Sequence, residues 1–160
     1  MTVKTNINLK RLIVSVIIPL AVGGISSLIV GNGFRIYSES SVNQPPFAPP
    51  SWLFPLVWTI LYILMGISSY LIYEKDISAS KQPLAIYAIQ LLLNFMWPIF
   101  FFSLNAYLLS FIWLIMLWAF TLAMIIAFCK INKIAGLLQI PYLLWLSFAL
   151  YLNLAVYLIN

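Results

Sequence analysis

Five uncharged, largely apolar stretches divide the chain, and polar residues are concentrated between them. Each stretch is long enough to cross a lipid bilayer as a helix, which takes about 20 apolar residues. They predict transmembrane helices over residues 12–31, 52–73, 83–104, 106–129 and 135–158. The pattern predicts an all-α integral membrane protein, a bundle of five transmembrane helices that forms a single domain over residues 1–160.

Composition strengthens the membrane assignment. Hydrophobic residues make up 64% of the 160 residues and charged residues 7%, against about 45–50% and about 25% in soluble domains. A soluble domain of this length has no interior large enough to bury so much apolar surface. Lipid is therefore the expected surroundings of the helices.

Two absences narrow the chemistry. The sequence contains no His, which excludes His-dependent triads and His-ligated zinc or haem. Cys129 is the single cysteine, so neither an intramolecular disulfide nor a thiolate metal site is expected. We predict no metal site and no required cofactor.

The basic residues predict the orientation. Seven of the eight Lys and Arg residues lie in the N-terminal segment and in the connections 74–82 and 130–134, whereas the opposite side has only Arg35. The positive-inside rule then places the N-terminus in the cytoplasm and the C-terminus outside, most simply in a bacterial cytoplasmic membrane. Because these positive charges flank membrane spans, the net charge of +5 does not indicate nucleic-acid binding.

Three of the predicted helices carry aligned rows of aromatic, amide and small residues. The rows consist of Pro55, Trp58, Tyr62 and Gly66; of Gln90, Asn94, Trp97 and Phe101; and of Tyr142, Trp145, Ala149 and Asn153. Facing one another, they would line a cavity that suits a flat apolar ligand. The alternative is that amides and rings simply hold the helices together. No charge lies within a span, which argues against ion-coupled transport.

Small residues elsewhere predict close helix contacts. Gly23, Gly24, Ser26 and Ser27 would let a neighbouring helix approach the first span closely, and Ala85 and Ala88 on the third span could form a dimer face.

The connection 32–51 is the longest and ends in a proline-rich segment, QPPFAPPS (44–51). Because proline fixes φ, we expect this segment to be extended and stiff. It is either a lid over a ligand site or a rigid linker.

Several segments resemble the translocator protein/tryptophan-rich sensory protein family (TspO/MBR). The resemblance rests on PPFAPPSW (45–52), FPLVW (54–58), LYILMG (61–66), QLLLNFMWP (90–98), FFF (100–102), PYLLWLSFA (141–149) and LN (152–153). It implies five helices around one pocket, the first long loop as a lid, and a homodimer. Implied ligands are porphyrins (protoporphyrin or haem) and drugs of the benzodiazepine and isoquinoline-carboxamide types.

Carried over by motif, the resemblance implies one set of ligand-binding residues. They are Pro49, Pro50, Phe54, Trp58, Tyr62, Asn94, Trp97, Phe100, Trp145, Ala149 and Leu152. Two departures stand out: Phe47 occupies a position where many relatives have Trp, and no basic residue follows Tyr157, so the C-terminal cholesterol motif is absent. Cholesterol binding is not supported.

The leading functional hypothesis is a tetrapyrrole-binding membrane protein that acts as a sensor, scavenger or regulator. One alternative is light- or oxidant-dependent breakdown of the porphyrin, for which Trp58 and Trp145 are the candidate electron donors. Others are a transporter of porphyrin-like or other apolar molecules and a helical partner of another membrane protein.

Overall fold

The computed structural model describes residues 7–39, 43, 45, 47–75 and 78–160, and within them it is helical with no strand. A π-helical turn, Ile99–Ser103, extends the fourth helix. The seven α-helices are α1 (Leu9–Val30), α2 (Gly33–Glu39), α3 (Leu53–Lys75), α4 (Lys81–Pro98), α5 (Tyr107–Ile131), α6 (Lys133–Leu137) and α7 (Ile140–Ile159).

Five segments are long and apolar enough to cross a membrane, as the sequence predicts: α1, α3, α4 with its π-helical turn, α5, and α6 with α7. The prediction missed the break within the last span. There the buried Gln139 donates its side-chain amide to the carbonyl of Leu64, at 3.2 Å, between the end of α6 and the start of α7.

The core lies where α3, α4, α5 and α7 face one another. Met65, Leu114, Leu117, Met124 and Leu146 are fully buried there. Many Ile and Leu side chains on the outer helix faces remain exposed, as expected where lipid rather than water surrounds a bundle. The chain is thus a multi-pass integral membrane protein.

The antiparallel helices give the bundle two different ends. The basic end contains six of the seven basic residues that the structure describes: Lys10, Arg11, Lys75, Lys81, Lys130 and Lys133. The connector end contains α2, the π-helical turn, the end of α7 and the connector, by which we mean the described residues 43, 45 and 47–52. Arg35 is the one described basic residue at the connector end.

The connection 32–51 differs from the predicted loop in two ways. It contains α2, and its proline-rich part turns rather than staying extended: the Ala48 amide donates to the carbonyl of Pro45, at 3.1 Å, and Phe47 has a φ of 67°. Residues 40–42, 44 and 46 lie outside the described residues. A lid function for this connection stays a prediction.

Asn160 ties the connector to α7. Its side-chain oxygen accepts from the backbone N–H of Asn43 at 2.9 Å, and its side-chain nitrogen donates to the backbone carbonyl of Asn43 at 3.1 Å. This reciprocal pair fastens part of the connector across the connector end of the bundle.

Candidate ligand-binding site

A cavity of about 540 Å³ lies between α1, α2, α3 and α4, toward the connector end. We call it the main cavity. Its volume falls in the range of about 300–1,000 Å³ found for small-molecule sites. Its lining residues are Leu20, Gly23, Gly24, Ser26, Ser27, Val30, Gly31, Phe34, Arg35, Phe54, Pro55, Trp58, Thr59, Tyr62, Asn94, Trp97, Pro98 and Phe102.

Aromatic rings form one wall of the main cavity. The ring centroid of Trp58 lies 5.6 Å from that of Tyr62 and 6.3 Å from that of Trp97, with both pairs tilted by 32°. Trp97 in turn stacks on Phe101 at 5.6 Å. Such a run of rings on neighbouring helices offers a broad π surface to a flat ligand.

A buried network of tyrosines and amides closes the base of the main cavity. Tyr62 donates its hydroxyl to Asn94 Oδ1 at 2.6 Å, and Asn94 Nδ2 donates to the Tyr142 hydroxyl at 2.8 Å. Gln90 Nε2 donates to that same hydroxyl at 2.7 Å. Both the oxygen and the nitrogen of the Asn94 side chain are hydrogen-bonded, and Asn94 is only 2% exposed. The network therefore fixes the Tyr62 ring at the cavity wall.

Asn153 fixes the second tryptophan of the wall. Trp97 donates its indole N–H to Asn153 Oδ1 at 3.1 Å, and Ser110 Oγ donates to the same oxygen at 3.0 Å. Asn153 Nδ2 donates to the carbonyl of Tyr107 at 2.9 Å. Trp97 lies on α4, Ser110 on α5 and Asn153 on α7. Side chains from three helices therefore hold the Trp97 ring in place.

A small cavity of about 50 Å³ lies beneath the connector. Phe101 and Phe102 are neighbours in the chain, yet the π-helical turn directs both rings toward this cavity. Tyr37 of α2 packs edge-on against both rings, with centroid distances of 5.2 Å to Phe101 and 5.5 Å to Phe102. Burial raises the pKa of Tyr37 to about 12, further above neutral pH than the ordinary tyrosine value. The described residues that line it are Phe34, Tyr37, Pro45, Ala48, Pro49, Phe54, Trp97, Phe101, Phe102, Ala149, Leu152 and Asn153.

The structure brings most of the predicted site residues to these two cavities. Those at the main cavity are Phe54, Trp58, Tyr62, Asn94 and Trp97. Those at the small cavity are Pro49, Phe54, Trp97, Ala149 and Leu152.

Three predicted residues, Pro50, Phe100 and Trp145, line neither cavity. Phe100 packs edge-on against Trp113 of α5, with centroids 5.0 Å apart. Trp145 packs edge-on behind Phe54, at 5.9 Å, and so lies one ring away from both cavities. Ligand contact by these residues stays a prediction.

The sequence reasoning missed α1 as a wall of the main cavity. Gly23, Gly24, Ser26 and Ser27 were expected to allow close helix contact, but only part of the set does so. A Cβ on Gly23 would overlap the Tyr62 ring, and Ser26 Oγ donates to the carbonyl of Phe95 at 2.8 Å. A Cβ on Gly24, in contrast, would meet nothing within 4 Å. A run of small residues cannot by itself distinguish a close contact from a cavity.

The metal-ligating and charged side chains determine which kinds of ligand the site can bind. Within the described ranges, no group of three or more His, Cys, Asp and Glu residues could hold a metal ion. Of the side chains that the structure describes, Arg35 is the one charged group that lines the main cavity. The site is therefore suited to a flat, mostly apolar organic molecule, bound through ring contacts.

Comparisons with known proteins agree with this architecture. The chain is 36% identical over 155 residues to a protein from Archaeoglobus fulgidus named tryptophan-rich protein TspO, covering 96% of this chain and 99% of that one. It is 35% identical over 130 residues to the protein of the same name from Chlorobaculum tepidum, covering 80% and 82%. It is 38% identical over 122 residues to the translocator protein of Ovis aries, covering 74% and 71%. Residues 15–158 match the sequence model of the TspO/MBR family, and the chain belongs to that family.

Proposed function

We propose that this protein binds a porphyrin in the main cavity and acts as a membrane sensor, scavenger or regulator of tetrapyrroles. The observation that carries the proposal is the ring wall of Trp58, Tyr62 and Trp97 along a cavity of about 540 Å³. A relative from Cereibacter sphaeroides, 36% identical over 105 residues, is named tryptophan-rich sensory protein, which supports the sensory reading.

Neutral ring contacts carry the binding in this proposal. The sequence has no His to ligate haem iron, so protoporphyrin should bind about as tightly as haem. Benzodiazepine and isoquinoline-type ligands fit the same description of a flat, largely apolar molecule and would compete for the ring wall.

The test is a protoporphyrin titration of the purified protein in detergent, followed by quenching of tryptophan fluorescence. Saturation near one porphyrin per chain is expected. Trp58→Leu should weaken binding by about tenfold, because it removes a ring from the cavity wall. Trp118→Leu is the matched control, since the Trp118 indole donates to Ser147 at 2.9 Å and does not line the main cavity. Quenching that never saturates and is the same in both variants would contradict the proposal.

Light-dependent breakdown of the porphyrin is the second candidate function. The structure favours Trp58 over Trp145 as its electron donor, since Trp58 lines the main cavity and Trp145 lies behind Phe54. Under illumination, Trp58→Phe should slow porphyrin bleaching much more than Trp145→Phe does. Equal bleaching by both variants and the native protein would exclude Trp58 and Trp145 as the electron donors.

We also propose that the basic end faces the cytoplasm of a bacterial cell and that the protein is a homodimer. The positive-inside rule supports the orientation. Ala85 and Ala88 lie exposed on α4, where a second copy could approach closely. Cysteine labelling of intact cells tests the orientation, and crosslinking at Ala88→Cys tests the interface.

A further inference from the structure

We propose that Arg35 binds a carboxylate of the ligand that occupies the main cavity. The inference rests on the proposed function and deepens it, because it defines the ligand class: a flat apolar molecule with an anionic edge. It also defines the orientation of the ligand, with the ring system against Trp58 and Trp97 and the carboxylate at the connector end.

Arg35 lies at the rim of the main cavity. It is an exposed residue of α2 and lines the cavity together with Gly31 and Phe34. Tyr62 and Asn94, at the other extreme of the cavity, are buried. A ligand lying along the ring wall therefore runs from an enclosed, uncharged base to a rim that carries a guanidinium group.

The base of the cavity offers no place for a carboxylate. The Tyr62 hydroxyl already donates to Asn94, the Trp97 indole N–H donates to Asn153, and the Ser26 hydroxyl donates to a backbone carbonyl. A carboxylate buried there would lose its hydration without gaining a partner, which is strongly unfavourable. The anionic edge of a ligand must then point toward the rim.

The chemistry of the Arg35 side chain favours the same orientation. Among the described residues, Arg35 is the one Lys or Arg at the connector end, and six others lie at the basic end. A guanidinium group presents paired N–H donors that match the two oxygens of a carboxylate. Its attraction for an anion is stronger beside a low-dielectric bundle than in bulk water.

The experiment compares protoporphyrin, which carries two carboxylates, with its dimethyl ester, which carries none. Both are titrated in a neutral detergent against the native protein, Arg35→Gln, Arg35→Lys and Lys81→Gln. Lys81→Gln is the matched control, since it removes one positive charge at the basic end.

Arg35→Gln should weaken binding of the acid by about three- to tenfold and leave binding of the ester unchanged. Arg35→Lys should weaken binding of the acid less than Arg35→Gln does, because lysine keeps the positive charge but loses the paired donors. Lys81→Gln should change neither titration. Added salt should weaken binding of the acid by the native protein more than by Arg35→Gln, because exposed ion pairs are screened.

Equal effects of Arg35→Gln on acid and ester, or no effect on either, would overturn the assignment. If neither porphyrin saturates the native protein, the proposed function fails, and the same four proteins are titrated with 1-pyrenebutyrate and its methyl ester. Loss of binding for that acid alone in Arg35→Gln would then support the carboxylate site. Any other pattern with the pyrene pair would overturn it.

Discussion

The two halves of the α1–α3 pair differ sharply in how closely the helices approach. Toward the basic end, the backbone N–H of Asn8 donates to the Tyr70 hydroxyl at 3.0 Å, and Arg11 forms an ion pair with Glu74 at 2.9 Å. Gly66 lies directly against the backbone of α1. Toward the connector end, the same two helices form walls of the main cavity. One helix pair thus provides both an anchor and a binding site.

Gly66 and Gly24, one in each half, have opposite roles. A Cβ on Gly66 would overlap the Cα of Val16 and lie 2.7 Å from the carbonyl oxygen of Ser15, so the absence of a side chain permits the helix contact. A Cβ on Gly24 would meet nothing within 4 Å, so the absence of a side chain there leaves volume for a ligand. The comparison shows that the neighbouring helix, rather than the glycine itself, decides which role applies.

The largest expected effect comes from filling the close contact. Gly66→Leu should destabilise the fold by about 3 kcal/mol or more, because the backbone of α1 must move away. Thermal or denaturant unfolding in detergent measures the change, and Gly24→Leu is the matched control that should unfold like the native protein. Equal unfolding of the two variants would contradict the described difference between the halves.

Filling the cavity should affect binding instead of folding. Gly24→Phe places a ring in the space that the ligand needs, so protoporphyrin affinity should fall at least about tenfold, while the melting temperature stays near that of the native protein. The fluorescence titration and a melting curve on the same sample separate the two effects. Unchanged affinity in a folded Gly24→Phe protein would place the ligand outside the main cavity.

The network at the base of the cavity should give an intermediate effect. Tyr142→Phe removes the hydroxyl that accepts from both Gln90 and Asn94, which leaves two buried amide donors without this partner and should cost about 2 kcal/mol. Tyr62→Phe removes one bond to Asn94 and should cost about 1 kcal/mol. Unfolding free energies of the two variants check the order, and a larger loss for Tyr62→Phe would contradict it.

The ion pair at the basic end should give the smallest effect. Both partners of the Arg11–Glu74 pair are partly exposed, at 50% and 29% of their side-chain surface, so solvent and salt screen the attraction. Arg11→Gln should therefore lower the melting temperature only slightly, and less at high salt than at low salt. A change as large as that of Gly66→Leu would mean that the ion pair, rather than the close helix contact, holds this half together.

The helical framework could be predicted from sequence because each span is an uncharged apolar segment bounded by polar residues. Members of the three rows do meet in the pairs Tyr62–Asn94, Asn94–Tyr142 and Trp97–Asn153, whereas Gly66 faces α1. The rows combine the two interpretations that spacing left open, a cavity wall and a packed helix contact. Trp58 and Tyr62 line the main cavity, whereas Gln90 is fully buried and bonds Tyr142. Helical periodicity identifies a common face, but it does not show how far away the opposite helix lies.

The features that were missed depend on contacts between distant parts of the chain. The small helix α2 lies in a connection with no long apolar pattern, and the π-helical turn follows Pro98, where an ordinary helix could equally have ended. The wall formed by α1 depends on the gap between α1 and α3, which no local pattern encodes. Trp145 contacts Phe54 and lines neither cavity. This placement likewise depends on the position of α3 relative to α7.

The reciprocal bonds between Asn43 and Asn160 join positions 117 residues apart in the chain. During synthesis, residue 43 emerges from the ribosome long before residue 160 exists, and nascent chains fold from the N-terminal side first. The connector can acquire this fastening only after α7 has been made and inserted. The part of the connector that covers the small cavity therefore reaches its final form only after α7 is in place.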